Sequence, residues 1–534
     1  MRRSNLFACE AATAFRGCLW RTGALLCISS IFVVFAPFAS GQKVLRARLN
    51  SDIMSLDPGT LRDENTDSVL LQMVEGLVGS RDDGSIGPML ASQWTVTDNA
   101  KTFTFRLRPE VHFHNGAPLT SSEVRWTFQH YLDPATHWRC NADVGRGGST
   151  PIVAVEAPDP HTVVVHLGKP APLFLQTIAR AECGSTGIMH PDSVGPDGKF
   201  RAPIGTGPFM FGSWKRNQYI QLLRFPQYSS LTGPRNGNVG GKHALVDELR
   251  FLIIPDSSAA RVALLRGSID VLDNIDAAEL DSLRGKPGIR VEMTTAMDNY
   301  VLLLQTNDPA LRDVRLRQAI ALCIDTEGLA RVVTHGTARP NNSPVPSVSP
   351  YYKATEAVIL KPDIARAREL VKASSYRGQP IKIITNRRYP QNFDAAVLVQ
   401  AMVQPAGINM EIETLDWAGQ LQHYAPGNYQ VMAFSFSARL DPSFNFATFI
   451  GDKTKEPRKV WDTPEARELL AKSLQTDDPV VRQPIFDELD RLFRRDVPAI
   501  VFYNSSRIAA TRSNVVGYKG WVANEQRFWD VGLQ

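Results

Sequence analysis

His112 and His114, two residues apart in VHFHNG, could turn both imidazoles to one face of a strand and offer two ligands to a transition metal. Such a site needs further ligands, and none can be placed in this sequence. The pair reads instead as the polar end of a strand entering a turn. Gly145-Arg146-Gly147-Gly148 is glycine-rich but lacks the Gly-Lys-Ser/Thr ending with which a phosphate loop holds its anion. No G-x-S-x-G elbow or comparable nucleophile context occurs. The side chains point to binding rather than to catalysis, and no cofactor is implied.

The elements that must carry these residues alternate between strands and helices. Strand-like runs begin at Val44, Thr162, Tyr219, Glu248, Ile289, Tyr300, Ile381, Asn409 and Tyr429, with helices in the gaps. This is an α/β pattern, and 534 residues are enough for more than one hydrophobic core. The clearest local unit is Leu90 to Tyr131. Trp94 and Val96 open a strand, and Asp98, Asn99 and Ala100 supply a turn. Phe103, Phe105 and Leu107 then alternate with Thr104, Arg106 and Arg108, the period of a strand buried on one face. Asn115-Gly116 is a turn dipeptide. Thr120 followed by Glu123 has the spacing of a capping box, and Val124, Phe128 and Tyr131 give the following helix one apolar stripe.

Composition excludes some roles. Charged residues make up 21% and hydrophobic ones 43%, an ordinary globular balance. The net charge of +5 is concentrated at the start: Arg2, Arg3, Arg16 and Arg21 against Glu10 leave +3 in the first 41 residues and about +2 in the rest. No nucleic-acid partner is implied. Residues 1–41 read as an export signal, with arginines before the apolar run Gly23 to Phe38 and small residues Ala39-Ser40-Gly41 at the cleavage position, so a mature start near Gln42 is expected. An uncleaved N-terminal anchor is the alternative. Cys9, Cys18 and Cys27 leave with that segment. Of the remaining three cysteines, Cys323 reads as a small buried hydrophobe. Cys140 and Cys183 flank loop-rich sequence in an exported chain, so they form either a disulfide or two unpaired thiols.

Read as a pattern, LASQW, D-x-x-x-F-x-F-x-L-R, FHNG and the T-x-x-E-V helix start resemble the extracytoplasmic solute-binding proteins of ABC importers, family 5, which includes dipeptide-, oligopeptide- and nickel-binding proteins. Ser55-Leu56-Asp57-Pro58, Glu75-Gly76-Leu77, Ile204 to Phe209, Asp313 to Asp325 and Asp441-Pro442 extend the resemblance in order along the chain. It implies a two-lobed type II periplasmic-binding-protein fold of the large class, with an inserted domain and a two-strand hinge. Residues 42–77, 204–299 and 498–534 would build lobe I, 78–203 the inserted domain II, and 300–497 the ligand-closing lobe III. The function implied is a periplasmic receptor, a monomer that delivers a small solute to ABC permease subunits. A di- or oligopeptide receptor, or a sensory or chaperone-like protein of the same fold, is the alternative.

The resemblance also implies a site. Arg387 falls where dipeptide-binding relatives set an arginine against the ligand carboxylate. Peptide-binding relatives hold the free amino group on an aspartate three positions before their D/E-P pair. Here that position is Ala438, and Arg439 follows it. Phe436 and Ser437 join them as cleft-lining candidates, with Tyr389, Asn299 and Tyr300. Asp441 is expected to shape the turn rather than touch ligand, and Trp417 to pack in the core. With no acid at Ala438, the expected ligand carries a carboxylate or phosphate and no essential α-amino group, unless another acid reaches the cleft.

Overall fold

The computed structural model describes residues 42–534, so the export signal expected over 1–41 lies outside the described residues. Two large sheets organise the chain. The first is seven-stranded, in the order Ile289–Thr295, Ser506–Arg512, Val271–Leu272, Val44–Leu49, Glu248–Ile253, Tyr219–Arg224, Phe209–Lys215. Three distant stretches of chain therefore share one sheet. The second is six-stranded, in the order Arg339–Pro340, Ala499–Asn504, Asn299–Leu304, Val431–Phe436, Ile381–Asn386, Met410–Leu415. Separate apolar cores fill its two faces, one around Leu302, Ile320, Ile383 and Val399, the other around Leu303, Phe434, Phe449 and Phe486.

A third, four-stranded antiparallel sheet is built from Ala91–Thr97, Thr102–Leu107, Thr162–Leu167 and Ile152–Asp159. Its residues share one apolar core with the seven-stranded sheet, where Phe103, Phe105 and Val165 join Leu45, Ala47 and Phe251. Asp98, Asn99 and Ala100 all take positive φ at its first turn. Thr120 caps the helix Ser121–Leu132, and the Glu123 carboxylate accepts the Thr120 backbone N–H at 2.9 Å. Phe128 and Tyr131 are fully buried on that helix. Cys140 and Cys183 are joined in a disulfide with a Cα–Cα distance of 5.3 Å, and Cys323 is a buried free thiol.

The chain passes between the two large sheets at two adjacent places. Assigning residues 498–534 to lobe I put the return crossing too early: Ala499–Asn504 pairs with Asn299–Leu304 inside the six-stranded sheet. All six of its residues are buried, so the sequence shows no alternation that would reveal which sheet it joins. The crossings themselves are short, and Asp298 ties them together. Its carboxylate accepts the Ser505 backbone N–H at 2.8 Å and the Ser505 hydroxyl, while its carbonyl accepts the Asn504 side-chain amide at 2.6 Å. Burial, opposed by the Ser505 hydrogen bonds, lifts the Asp298 pKa to about 6.

Candidate functional site

Register puts the site candidates of the second lobe at one edge of the six-stranded sheet. Ile381–Asn386 and Val431–Phe436 run parallel, with Ile383 opposite Val431, and Asn299 pairs with Phe436 on the other side. Arg387 to Tyr389, Asn299 to Tyr300 and Phe436 to Arg439 therefore emerge at the same end. The carboxyl edge of parallel strands is where α/β folds expose residues to ligands. Beyond this edge the segment 437–444 meets the first sheet's side of the molecule. A small cavity of about 50 Å³ lies at that junction, space for a few water molecules.

Ser437, Ala438, Arg439 and Asp441 form one wall of the cavity. The facing wall comes from Arg62, Arg180, Glu182, Trp521 and Glu525. The lobes touch around it. The Arg180 guanidinium stands 5.2 Å from the Phe444 ring centroid. Gly84, at φ 83°, faces the Leu440 carbonyl so closely that a Cβ there would lie 2.8 Å from its oxygen, which excludes any larger residue.

Not every candidate reaches this cavity. Asn299 is buried with its amide committed: it donates to the Pro344 carbonyl at 3.0 Å and its oxygen accepts from Asn504 at 3.0 Å. Its polarity at a strand end serves the inter-strand network, and it does not line the cavity. Phe436 is buried, edge-on to Phe434 and Phe449, and is not part of the cavity lining. Tyr300 stacks on Tyr503 at 4.7 Å, and Tyr389 packs edge-on to Trp417 at 5.0 Å. Trp417 also stacks on Phe434. Arg387 is exposed, its guanidinium 3.9 Å from the Phe393 ring centroid. Ser437, Ala438 and Arg439 do line the cavity.

His114 and His112 form no metal pair, and among the described residues no cluster of three or more potential ligands exists. The buried His114 ring donates from Nε2 to the Gly207 carbonyl at 3.0 Å, which pins the G-T-G-P turn. Burial, against the pull of that carbonyl, lowers its pKa to about 4.

The loop bearing Arg439 is held from behind. Asp441 caps the helix Pro442–Phe449 by accepting the Ser443 N–H at 2.9 Å. Its two oxygens accept from Arg482 at 2.6 and 2.8 Å, both side chains being buried. The turn-shaping role expected for Asp441 therefore has a specific partner, one that lies 41 residues away and carries no sequence signal.

Charge across the cavity is mixed. Burial works against the Glu182 carboxylate, but the guanidiniums of Arg439, Arg180 and Arg62 outweigh it and hold its pKa below the ordinary glutamate value. Burial lowers the Arg439 pKa, and Glu182 opposes that fall. Asp67 accepts from Arg62 Nε at 2.7 Å, yet burial still lifts its pKa to about 7. Glu525 is pushed further, to about 8, by burial and by the neighbouring Asp67 charge. Glu182 and Glu525 were not singled out in the sequence. Their presence means that acids do reach the cleft beside Ala438, and the case against an amine-bearing ligand loses its premise.

The model of the bacterial extracellular solute-binding proteins, family 5 Middle, matches residues 85–457, more than half of the chain. The chain belongs to this family. Among curated relatives, the probable D,D-dipeptide-binding periplasmic protein DdpA of Escherichia coli is 24% identical over 484 residues, covering 88% of this chain and 90% of that protein. Among solved structures, DppA of Helicobacter pylori in complex with the peptide STSA superposes with a TM-score of 0.76 at 23% identity, covering 92% of this chain and 98% of that one. AgaA of Agrobacterium tumefaciens in complex with agropinic acid gives 0.73 at 22% identity, over 92% and 99%. At these identities the superpositions show the shared fold, the two-lobed type II periplasmic-binding architecture. As a family 5 protein the chain is a solute-binding receptor of an ABC importer and not an enzyme. Binding proteins of this family deliver peptides or small ligands to ABC permeases. No helix among the described residues is long and apolar enough to cross a membrane.

Proposed function

We propose that this family 5 receptor works in the periplasm as a monomer, is exported with cleavage near Gln42, and closes lobe III over a small solute held between the 437–444 loop and the wall formed by Arg62, Arg180, Glu182 and Glu525. In this reading lobe I comprises 42–77, 204–299 and the chain after the second crossing, the inserted domain 78–203, and lobe III the intervening stretch with its hinge strands. The observation that carries it is the cavity itself. It is bounded by Arg439 on one lobe and by unshared polar groups on the other, at the carboxyl edge of the lobe III sheet.

The solute carries at least one carboxylate or phosphate for Arg439. Arg439 is the only cation that the lobe III wall contributes to the cavity, and it lies on the loop braced by Arg482. The test begins with mass spectrometry of solute released from natively purified protein. With that solute, Arg439→Ala weakens binding more than tenfold, about 2 kcal/mol, because a desolvated charge pair is lost. Arg387→Ala, at an exposed position outside the cavity lining, costs less. Small-angle scattering shows compaction on saturation, since ligand shifts an open–closed equilibrium by its differential affinity. No compaction together with unchanged affinity in Arg439→Ala would refute this site.

A further inference from the structure

We propose that Glu525 receives a primary ammonium group of the solute, and that Trp521 donates its indole N–H to an oxygen of the same ligand, so that the receptor takes small amino-acid-derived compounds carrying both charges. This rests on the reading above that ligand occupies the interlobe cavity.

Three acids line that cavity: Glu182, Asp441 and Glu525. Asp441 is consumed by its two-pronged pair with Arg482. Glu182 faces Arg439, Arg180 and Arg62, which neutralise it. Glu525 has no such set of cations: Arg62 pulls on it more weakly than burial and the Asp67 charge push. It is 7% exposed, and its Oε2 has no hydrogen-bond partner. A buried carboxyl oxygen without a donor is costly to the free protein, and a ligand N–H group removes that cost. Trp521 repeats the pattern with opposite polarity: it is 3% exposed and its Nε1–H is unpartnered. An orphaned acceptor and an orphaned donor on one wall match an ammonium group with a nearby carbonyl or carboxylate oxygen. Across the gap stands Ala438, which offers neither. The cationic end of the ligand is thus assigned to the first lobe, and its anionic end to Arg439 on the second.

Glu525 does not act among neutral neighbours. Asp67, Glu64 and Arg62 face it from the helix Glu64–Leu70 and its approach, Arg527 lies on its own segment, and Glu182, Arg180 and Arg439 share the cavity. Because burial and the Asp67 charge set its pKa near 8, it holds a proton at neutral pH in the free protein. Binding an ammonium group then releases that proton, and binding strengthens as pH rises through this range.

The probe is methylammonium chloride, small enough for the cavity, compared with sodium chloride and tetramethylammonium chloride at equal ionic strength. Methylammonium alone raises the thermal unfolding midpoint of the wild-type protein saturably, and does so at lower concentration at about pH 8.5 than at about pH 6. Glu525→Gln shifts the required concentration upward about tenfold or more and removes the pH dependence. A readout without a variant accompanies it: methylammonium added near pH 8 releases a proton, detected with an indicator dye. A response equal to that of sodium or tetramethylammonium, or binding without proton release, overturns the assignment. Its failure leaves the receptor reading standing, because the Arg439 and scattering tests use the natural solute. Methylammonium binding without compaction on the natural solute would instead count against closure of the lobes over this cavity, and would leave Glu525 as an ammonium site that the solute does not use.

Discussion

Arg482→Ala lowers the unfolding free energy of the protein by about 3–5 kcal/mol, the range for removing one partner of a buried ion pair. Arg482 is fully buried in the helix Pro479–Asp496 and uses all five of its donors. Two go to Asp441, one to the Ser443 hydroxyl at 2.7 Å, one to the Ser473 carbonyl at 3.1 Å, and one to the Tyr351 hydroxyl at 3.3 Å. Alanine leaves the Asp441 carboxylate buried without its cation, a larger penalty than the loss of attraction alone. The guanidinium also packs over Tyr351 and Phe486, so the substitution opens a void as well. Denaturant unfolding measures the effect. A double variant, Arg482→Met with Asp441→Asn, recovers a large part of the loss, since no uncompensated charge remains and asparagine still caps the helix. If the double variant is as unstable as Arg482→Ala, packing rather than charge dominates the site. Ligand affinity falls in the single variant too, because the pair fixes the loop that presents Ser437, Ala438 and Arg439 to the cavity.

The local elements were readable because their signals are local. Alternation in Thr102–Leu107 and the Thr120–Glu123 capping box each involve a few consecutive residues, and both elements formed as the pattern required. The position of Ser437 and Arg439 at a sheet edge was also legible, because a loop directly after an apolar strand emerges there whatever the partner. The return crossing was not. A strand buried on both faces carries no face-specific pattern, so Ala499–Asn504 could not be assigned to one sheet from its own residues. Asn299 is ambiguous for a related reason: a polar residue ending an apolar strand looks the same whatever it meets, and here its amide meets Pro344 and Asn504. Glu525 lies beyond any such reading. It sits in an irregular tail, and what distinguishes it is a buried carboxyl oxygen without a donor, a property created by packing against distant residues such as Asp67 and Arg62.

Removing the Cys140–Cys183 disulfide, as the double serine variant, costs roughly 4 kcal/mol by loop entropy, with a sequence separation of 43 residues closed by the bond. Both cysteines are buried, at 1% and 0% exposure, so reduction of the native protein requires opening and proceeds slowly without denaturant. The consequence reaches the site. Arg180 and Glu182 closely precede Cys183 in sequence and line the interlobe cavity, and Arg180 is fixed from the same side by an ion pair to Asp143, three residues after Cys140. The Arg180 guanidinium stands 3.4 Å from Cys140 Sγ and 3.7 Å from Cys183 Sγ. Cutting the bond therefore loosens the wall that carries two of the cavity's charges. The expected signature is a double loss: a lower unfolding midpoint and weaker binding of the natural solute. Arg482→Ala should share both losses while its thiol count stays unchanged. Intact-mass analysis with thiol labelling of the exported protein shows one reactive cysteine, Cys323, only after unfolding. Three labelled thiols in the oxidised, exported form would remove the bond and this expectation with it.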